Sequence, residues 1–400
     1  MPAAVRCAAA TTCARCRSSE HSAASVPEVN RDRYLRQQGV DGLAVDRLVA
    51  QRVAVVGAGA VGNEVVKNLV LMGVGAVDVH DFDRVEIHNL TRSVFLRESD
   101  VGAPKAAAVV DRASEIDPNV RLRAVAGDAW RTLRLADVEP LDVVICAVDN
   151  LEARMRLSQL AMLAGVDLVN AGIDSRYASV EVFPHGSVGP HACFECHLPE
   201  SAYRKVAERY SCGWLRRSML AEDKVATTAI TASVAGALAV QAALRVGSEA
   251  GGGARRTLFD TRTGASTVVA LGRNDACPGC ASLSPRPRRV AAGGDWRHAL
   301  ALHAADADAV LLSDPLIFDY TCTGCGTTPH AAAYVGRRAD EFDDRIMRCA
   351  VCGQLAARVD IRSEAAVDDL LQLFGDALPP VKFMLARVGE PDAVCIDLEE

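Results

Sequence analysis

Arg52-Val53-Ala54-Val55-Val56-Gly57-Ala58-Gly59-Ala60-Val61-Gly62 is the stretch that decides the fold. A short, mostly apolar, β-branched run leads into three glycines spaced G-x-G-x-x-G, and a helical apolar pattern continues from Val61 to Met72. A strand, a glycine turn and a helix in that order form the setting in which this spacing binds nucleotides. Without Cβ atoms the backbone at Gly57, Gly59 and Gly62 admits a phosphate or ribose, and the helix start offers unpaired N–H groups.

The same alternation continues along the chain. Strands are predicted at 53–56, 77–80, 120–124, 143–148 and 168–171, with helices near 61–72, 105–116, 151–163 and 227–244 between and after them. Runs at 179–183, 257–260 and 267–271 belong to a later, more mixed part of the sheet. The fold class is therefore α/β: a Rossmann-like, mixed but largely parallel sheet with helices on both faces, plus a small C-terminal α+β zinc-binding domain. Residues 1–30 read as a disordered tail, 31–283 as the nucleotide domain, 284–295, rich in Pro, Arg and Gly, as a linker, and 296–400 as the C-terminal domain.

The 400 residues are 50% hydrophobic but only 4% aromatic, so the core must be built of Ala, Val and Leu. A net charge of -7 argues against a nucleic-acid coat or a polybasic membrane anchor. The uncharged run 225–244 matches a bilayer in length, but its Thr, Ser, Gln and Ala content favours a closely packed soluble helix. No membrane or nucleic-acid partner is expected.

The motif G-x-G-x-x-G with Asp81 at the end of the next strand, where a ribose-binding carboxylate belongs, fits a dinucleotide-dependent oxidoreductase as well as an ATP enzyme. The residues beyond Asp81 separate the two. Asn89, Arg92 and Lys105 come after the second strand at short spacing, with Lys105 entering a helix behind Pro104. Hydride transfer needs no such cluster, whereas attack on an α-phosphate with departing pyrophosphate needs charge stabilised on several oxygens. Asp149, ending the strand 143–148, is placed to hold magnesium on a triphosphate, although Asp149 or Asn150 could instead serve as a helix N-cap.

Cysteine spacing carries the second strong signal. Cys193-Phe-Glu-Cys196 and Cys277-Pro-Gly-Cys280 supply four thiolates for a closed, structural zinc site. Cys322-Thr-Gly-Cys325 and Cys349-Ala-Val-Cys352 repeat the arrangement with the spacing of a zinc ribbon. With eight of 14 cysteines in such pairs, the chain reads as a protein of a reducing, cytoplasmic compartment. Cys7, Cys13 and Cys16 have no second pair nearby and read as part of the tail.

Arg33-Tyr-Leu-Arg36-Gln37, the glycine loop, Asp81-Phe-Asp83, Asn89-Leu-Thr-Arg92, Pro104-Lys105 and Asp149-Asn150 with Arg154 together resemble the ThiF/MoeB/HesA family, adenylyltransferases similar to ubiquitin-activating enzymes. The resemblance spans about 33–280. It implies that Asp81 and Asp83 lie in the nucleotide site, that Asn89, Arg92 and Lys105 hold phosphates, and that Asp149 holds magnesium. Arg36 would act in the site of a neighbouring copy, implying a homodimer. The implied reaction is adenylation, with ATP, of the C-terminal carboxylate of a ubiquitin-like sulfur carrier or modifier, or of a ribosomal peptide. Cys212, between the first cysteine pair and the Thr-rich helix, matches a loop cysteine that in the family takes the acyl group as a thioester or joins sulfur transfer; as a lone cysteine it reads equally as a buried thiol, and both readings stand. The C-terminal domain departs from the minimal architecture, which keeps open a non-catalytic adaptor that binds nucleotide and protein partners.

Overall fold

A computed structural model describes residues 31–40, 43–187, 189–209, 226–245, 252–283, 285–328, 334–341, 349, 351–354, 357–389 and 392–399. After a 3-10 helix at Arg31–Gln37, the first part contains α1 (Val45–Ala50), β1 (Arg52–Val56), α2 (Ala60–Leu71), β2 (Ala76–Asp81), α3 (Lys105–Ser114), β3 (Arg121–Ala126), α4 (Ala129–Thr132), α5 (Leu135–Val138), β4 (Val143–Cys146) and α6 (Leu151–Ala164). Next come β5 (Asp167–Ile173), β6 (Tyr177–Phe183), α7 (Glu200–Arg209), α8 (Ala229–Leu244), β7 (Arg255–Asp260), β8 (Ser266–Ala270) and α9 (Pro278–Leu283). The second part holds β9 (Arg288–Ala291), α10 (Trp296–His303), β10 (Ala309–Cys322), β11 (Ala357–Ala366), α11 (Val367–Phe374), β12 (Phe383–Arg387) and β13 (Ala393–Asp397).

The first sheet has the order β3-β2-β1-β4-β5-β6-β7-β8. Strands β3 to β5 are parallel, and β6, β7 and β8 are added antiparallel. The chain winds outward from β1 to β3, then returns to place β4 on the other side of β1. That reversal opens a crevice at the carboxyl ends of β1 and β4, the position where open α/β sheets bind ligands.

One face of the sheet packs on α2, α3 and α8 through a core that is almost wholly Ala, Val and Leu. Small residues let α8 lie close: Ala232, Ala235, Ala239 and Ala243 are buried, and Gly236 abuts Glu64 of α2. The uncharged run 225–244 thus yields a packed 16-residue helix, and among the described residues no helix is long and apolar enough to cross a membrane.

The other face carries α4, α5, α6, the first cysteine cluster and, on top of them, the second sheet. That sheet runs β11-β10-β12-β13-β9. Its side chains alternate with the two-residue period of a strand. Phe383, Leu385 and Cys395 point at α4–α6, whereas Met384, Ala386, Val394 and Ile396 point at Trp296, Leu300 and Leu370 of α10 and α11. The C-terminal part is therefore an α+β unit held between its own helices and the nucleotide domain.

Within the Pro/Arg-rich stretch read as a linker, residues 288–291 form β9, parallel to β13 with Val394 opposite Arg288 and Asp397 opposite Ala291. The prolines at 285 and 287 precede the paired residues and leave their N–H groups free to join the ladder, and Arg289 binds Asp397 and Glu139. The strand predicted to reach 148 ends at Cys146, because Ala147 turns in beneath the glycine loop.

Candidate nucleotide site and cysteine clusters

The glycine loop is shaped by close approach. Gly57 has φ of 98°, and a Cβ there would stand 2.6 Å from the Ala147 carbonyl oxygen; one on Gly62 would stand 1.8 Å from the Gly57 oxygen. Gly59 has open space where its Cβ would be, leaving that side of the turn accessible. Asn63, fully buried on the otherwise apolar face of α2, donates from Nδ2 to the Ala58 and Gly59 carbonyls at 2.7 and 3.0 Å and accepts the Phe95 N–H at 3.1 Å. It joins the glycine loop to the segment after Arg92. Asn63 was not singled out from the sequence, although a lone amide on an apolar helix face was the available signal.

Asp81 ends β2 beside this loop. Its Oδ2 accepts the Ala58 N–H at 2.6 Å and its Oδ1 the Asp83 N–H at 2.7 Å. Burial pushes its carboxyl above the ordinary value, while the two amides and Lys105 pull it back. Asp83 then meets Lys105: Nζ donates to Oδ2 at 2.7 Å, and the Lys105 N–H donates to the Asp83 carbonyl at 2.9 Å. Lys105 opens α3 and is buried.

The loop between Asp83 and Lys105, closed by a bridge between Arg84 and Pro104, presents Asn89 and Arg92. Asn89 is buried and accepts the Glu86 N–H through Oδ1 at 2.9 Å; Arg92 donates to the His88 carbonyl at 2.8 Å. Ala58 of the glycine loop, Asp81, Asp83 and Lys105 thus form one bonded chain at the carboxyl edge, with Asn89 and Arg92 on the loop between Asp83 and Lys105.

On the far side of the crevice, Asn150 caps α6, its Oδ1 accepting the Ala153 N–H at 2.8 Å. The capping role open to either residue therefore falls to Asn150. Asp149 is exposed and makes no side-chain hydrogen bond or ion pair among the described residues. Arg154 fixes the segment from behind, donating to the Val148 carbonyl, to the Ala171 carbonyl at 2.9 Å and to Asn170 Oδ1.

Arg36 is not brought to this edge. Its helix packs at the opposite end of α2, where Gln37 donates to the Leu71 carbonyl at 3.1 Å, and Arg36 itself is exposed. Cys212 lies outside the described residues, as do Cys7, Cys13 and Cys16.

The two cysteine sets each converge. Around Cys193, Cys196, Cys277 and Cys280 the sulfur separations run from 3.4 to 3.8 Å, and all four residues are buried. Cys322–Cys352 and Cys325–Cys349 both measure 3.7 Å, with Cys325 and Cys352 exposed. A tetrahedron of thiolates about 2.3 Å from zinc has edges of about 3.8 Å, so both sets fit that ion with no open coordination position.

Comparison with known proteins matches residues 29–279 to a model described as the ThiF family. The sulfur carrier protein adenylyltransferase of Thermus thermophilus is 33% identical over 262 residues, which cover 62% of this chain and 90% of that protein. The SAMP-activating enzyme E1 of Haloferax volcanii is 32% identical over 181 residues, 44% of this chain and 65% of the relative. Among solved structures, Escherichia coli MccB has a TM-score of 0.49 at 21% identity, covering 64% of this chain and 74% of its own.

Proposed function

Since the chain belongs to the ThiF family, we propose that it adenylates the C-terminal carboxylate of a small ubiquitin-like protein, of the sulfur-carrier or modifier kind on which its named relatives act. A carboxylate oxygen attacks the α-phosphorus of ATP, the bond from that phosphorus to the bridging oxygen breaks, and pyrophosphate leaves with the electron pair. The products are an acyl-adenylate and pyrophosphate. The attacking carboxylate is already ionised at neutral pH, so no general base is required. Catalysis then rests on positioning and on stabilising charge.

Asp81 takes the ribose hydroxyls, and the N–H groups at the start of α2 face the phosphates. Lys105 exchanges Asp83 for a phosphate oxygen, with Asn89 and Arg92 closing on the same group. Asp149 would hold magnesium, which when bound screens the triphosphate. Arg36 is supplied by a second copy of the chain in a homodimer. Zinc fills both cysteine sets and is structural. In a second step the Cys212 sulfur, its proton lost to solvent, attacks the acyl carbon of the adenylate, the bond from that carbon to the phosphate oxygen breaks, and AMP leaves as the thioester forms.

The observation that carries the reading is the bonded sequence Ala58–Asp81–Asp83–Lys105. It supports the reading because it joins the proposed ribose ligand to the proposed phosphate ligand, while Asn150 and not Asp149 caps α6. The test is exchange of labelled pyrophosphate into ATP in the presence of a β-grasp protein ending in glycine. Partner-dependent exchange, lost in Lys105→Ala and Asp149→Ala, is the expected result. Absence of exchange with every such partner, together with tight NAD binding and no ATP binding, would overturn it. Cys212→Ala should keep exchange and lose downstream transfer.

A further inference from the structure

The helices that build the phosphate site also hold Arg36 away from it. Helices α2 and α3 begin at the glycine loop and at Lys105 and run back along the sheet for about 18 and 15 Å. The helix Arg31–Gln37 sits at their far ends, well beyond the reach of an arginine side chain from its own nucleotide site. There it is clamped by Asp117, a carboxylate with no solvent exposure just past the end of α3.

Asp117 Oδ2 accepts the Tyr34 hydroxyl at 2.5 Å and Arg33 Nε at 2.8 Å. Its Oδ1 accepts the N–H and Nδ2 of Asn119 at 3.0 and 2.9 Å. Arg33 also donates to the Ile116 carbonyl. Tyr34 is 1% exposed, and its ring lies on Gly73, where a Cβ would come within 2.4 Å of Cζ. A buried carboxylate with four donors is costly to assemble and rigid once satisfied. Here it fixes a helix whose own Arg36 is exposed and turned away from the nucleotide site of the same subunit.

We infer that Asp117 is a positioning residue acting across a subunit boundary: through Tyr34 and Arg33 it holds Arg36 in place for the nucleotide site of a second copy of the chain. This rests on the reading of Arg36 as a phosphate ligand. Two-fold symmetry gives each dimer two such sites, each made from one subunit's Lys105 and the other's Asp117-held helix.

The experiment combines subunits. Chains carrying Asp117→Ala and Lys105→Ala are co-produced with different affinity tags, the heterodimer is isolated through both, and MgATP binding is measured by calorimetry. The wild-type dimer should bind two ATP, and each variant homodimer about tenfold to a hundredfold more weakly, as for a lost charged hydrogen bond. The heterodimer should recover one wild-type-affinity site, on the Asp117→Ala subunit.

Arg36→Ala in place of Asp117→Ala should give the same asymmetry, which loss of fold stability alone would not. Tyr34→Phe, which leaves the carboxylate its other donors, serves if Asp117→Ala does not fold. A heterodimer with no recovered site, an Asp117→Ala homodimer that binds like wild type, or a wild-type monomer that binds ATP fully would each overturn the inference while leaving the nucleotide site standing. A wild-type protein with no affinity for ATP would overturn that site instead.

Discussion

Asp314→Ala should weaken the attachment of the C-terminal unit to the nucleotide domain. Asp314 lies at an irregularity in β10 and is 1% exposed. Its Oδ1 accepts the Trp130 indole N–H at 2.6 Å and stands 3.4 Å from Arg156, while Oδ2 accepts the Ser313 hydroxyl at 2.7 Å. Removing one partner of a buried charged pair typically costs about 3–5 kcal/mol. Arg156 keeps Glu152 at 2.8 Å, so the loss falls mainly on the stranded indole and hydroxyl, placing the total near about 3 kcal/mol.

Asp314→Asn keeps an acceptor for the indole and loses only the longer contact to Arg156, and should cost about 1 kcal/mol or less. Urea unfolding followed by far-ultraviolet circular dichroism and tryptophan fluorescence measures both. Equal damage from the two variants would show that the junction is ionic and refute the indole argument. A loss below about 1 kcal/mol in Asp314→Ala would show that the junction does not depend on this residue.

The other predictions concern the cap, the metals and pH. Asn150→Ala should lower stability by about 1 kcal/mol, read from the same urea titration, through the lost bond to the Ala153 N–H. Elemental analysis should find two zinc ions per chain; Cys322→Ser should lose one and retain ATP binding, whereas Cys193→Ser should compromise the fold of the nucleotide domain. His80 is 1% exposed with neither ring nitrogen bonded among the described residues, and burial holds its pKa below the ordinary 6.5. The unfolded chain therefore binds the proton more readily. Stability should be full above pH 6.5 and fall by up to about 1.4 kcal/mol per unit below it, a slope that His80→Gln should flatten in a pH series of unfolding midpoints.

The parts of the fold legible in the sequence are those carried by local pattern. The run from Arg52 to Gly62 announced strand, turn and helix because β-branched residues, glycine spacing and helical periodicity all act within a few residues. The four cysteine pairs were equally plain, because metal geometry restricts their spacing. What escaped depends on partners distant in sequence. Residues 288–291 become a strand only because residues 394–397 lie beside them, so composition alone read a linker. Trp130 meets Asp314 across 184 positions, and Tyr34 meets Asp117 across 83. Asp149 and Asn150 could not be assigned until the side-chain direction at the start of α6 showed which one caps it.

The parallel pairing of β9 with β13 also sets an order of assembly. The first sheet is complete once Ala270 has been made, but the second must hold its edge strand unpaired until about a hundred further residues have been added. At common rates of synthesis that interval is about 5–20 s. During it the apolar surface of α4–α6 is already formed and waiting. The nucleotide domain thus serves as the template on which the later sheet condenses, and a chain shortened before Val394 would leave that surface uncovered and prone to aggregate.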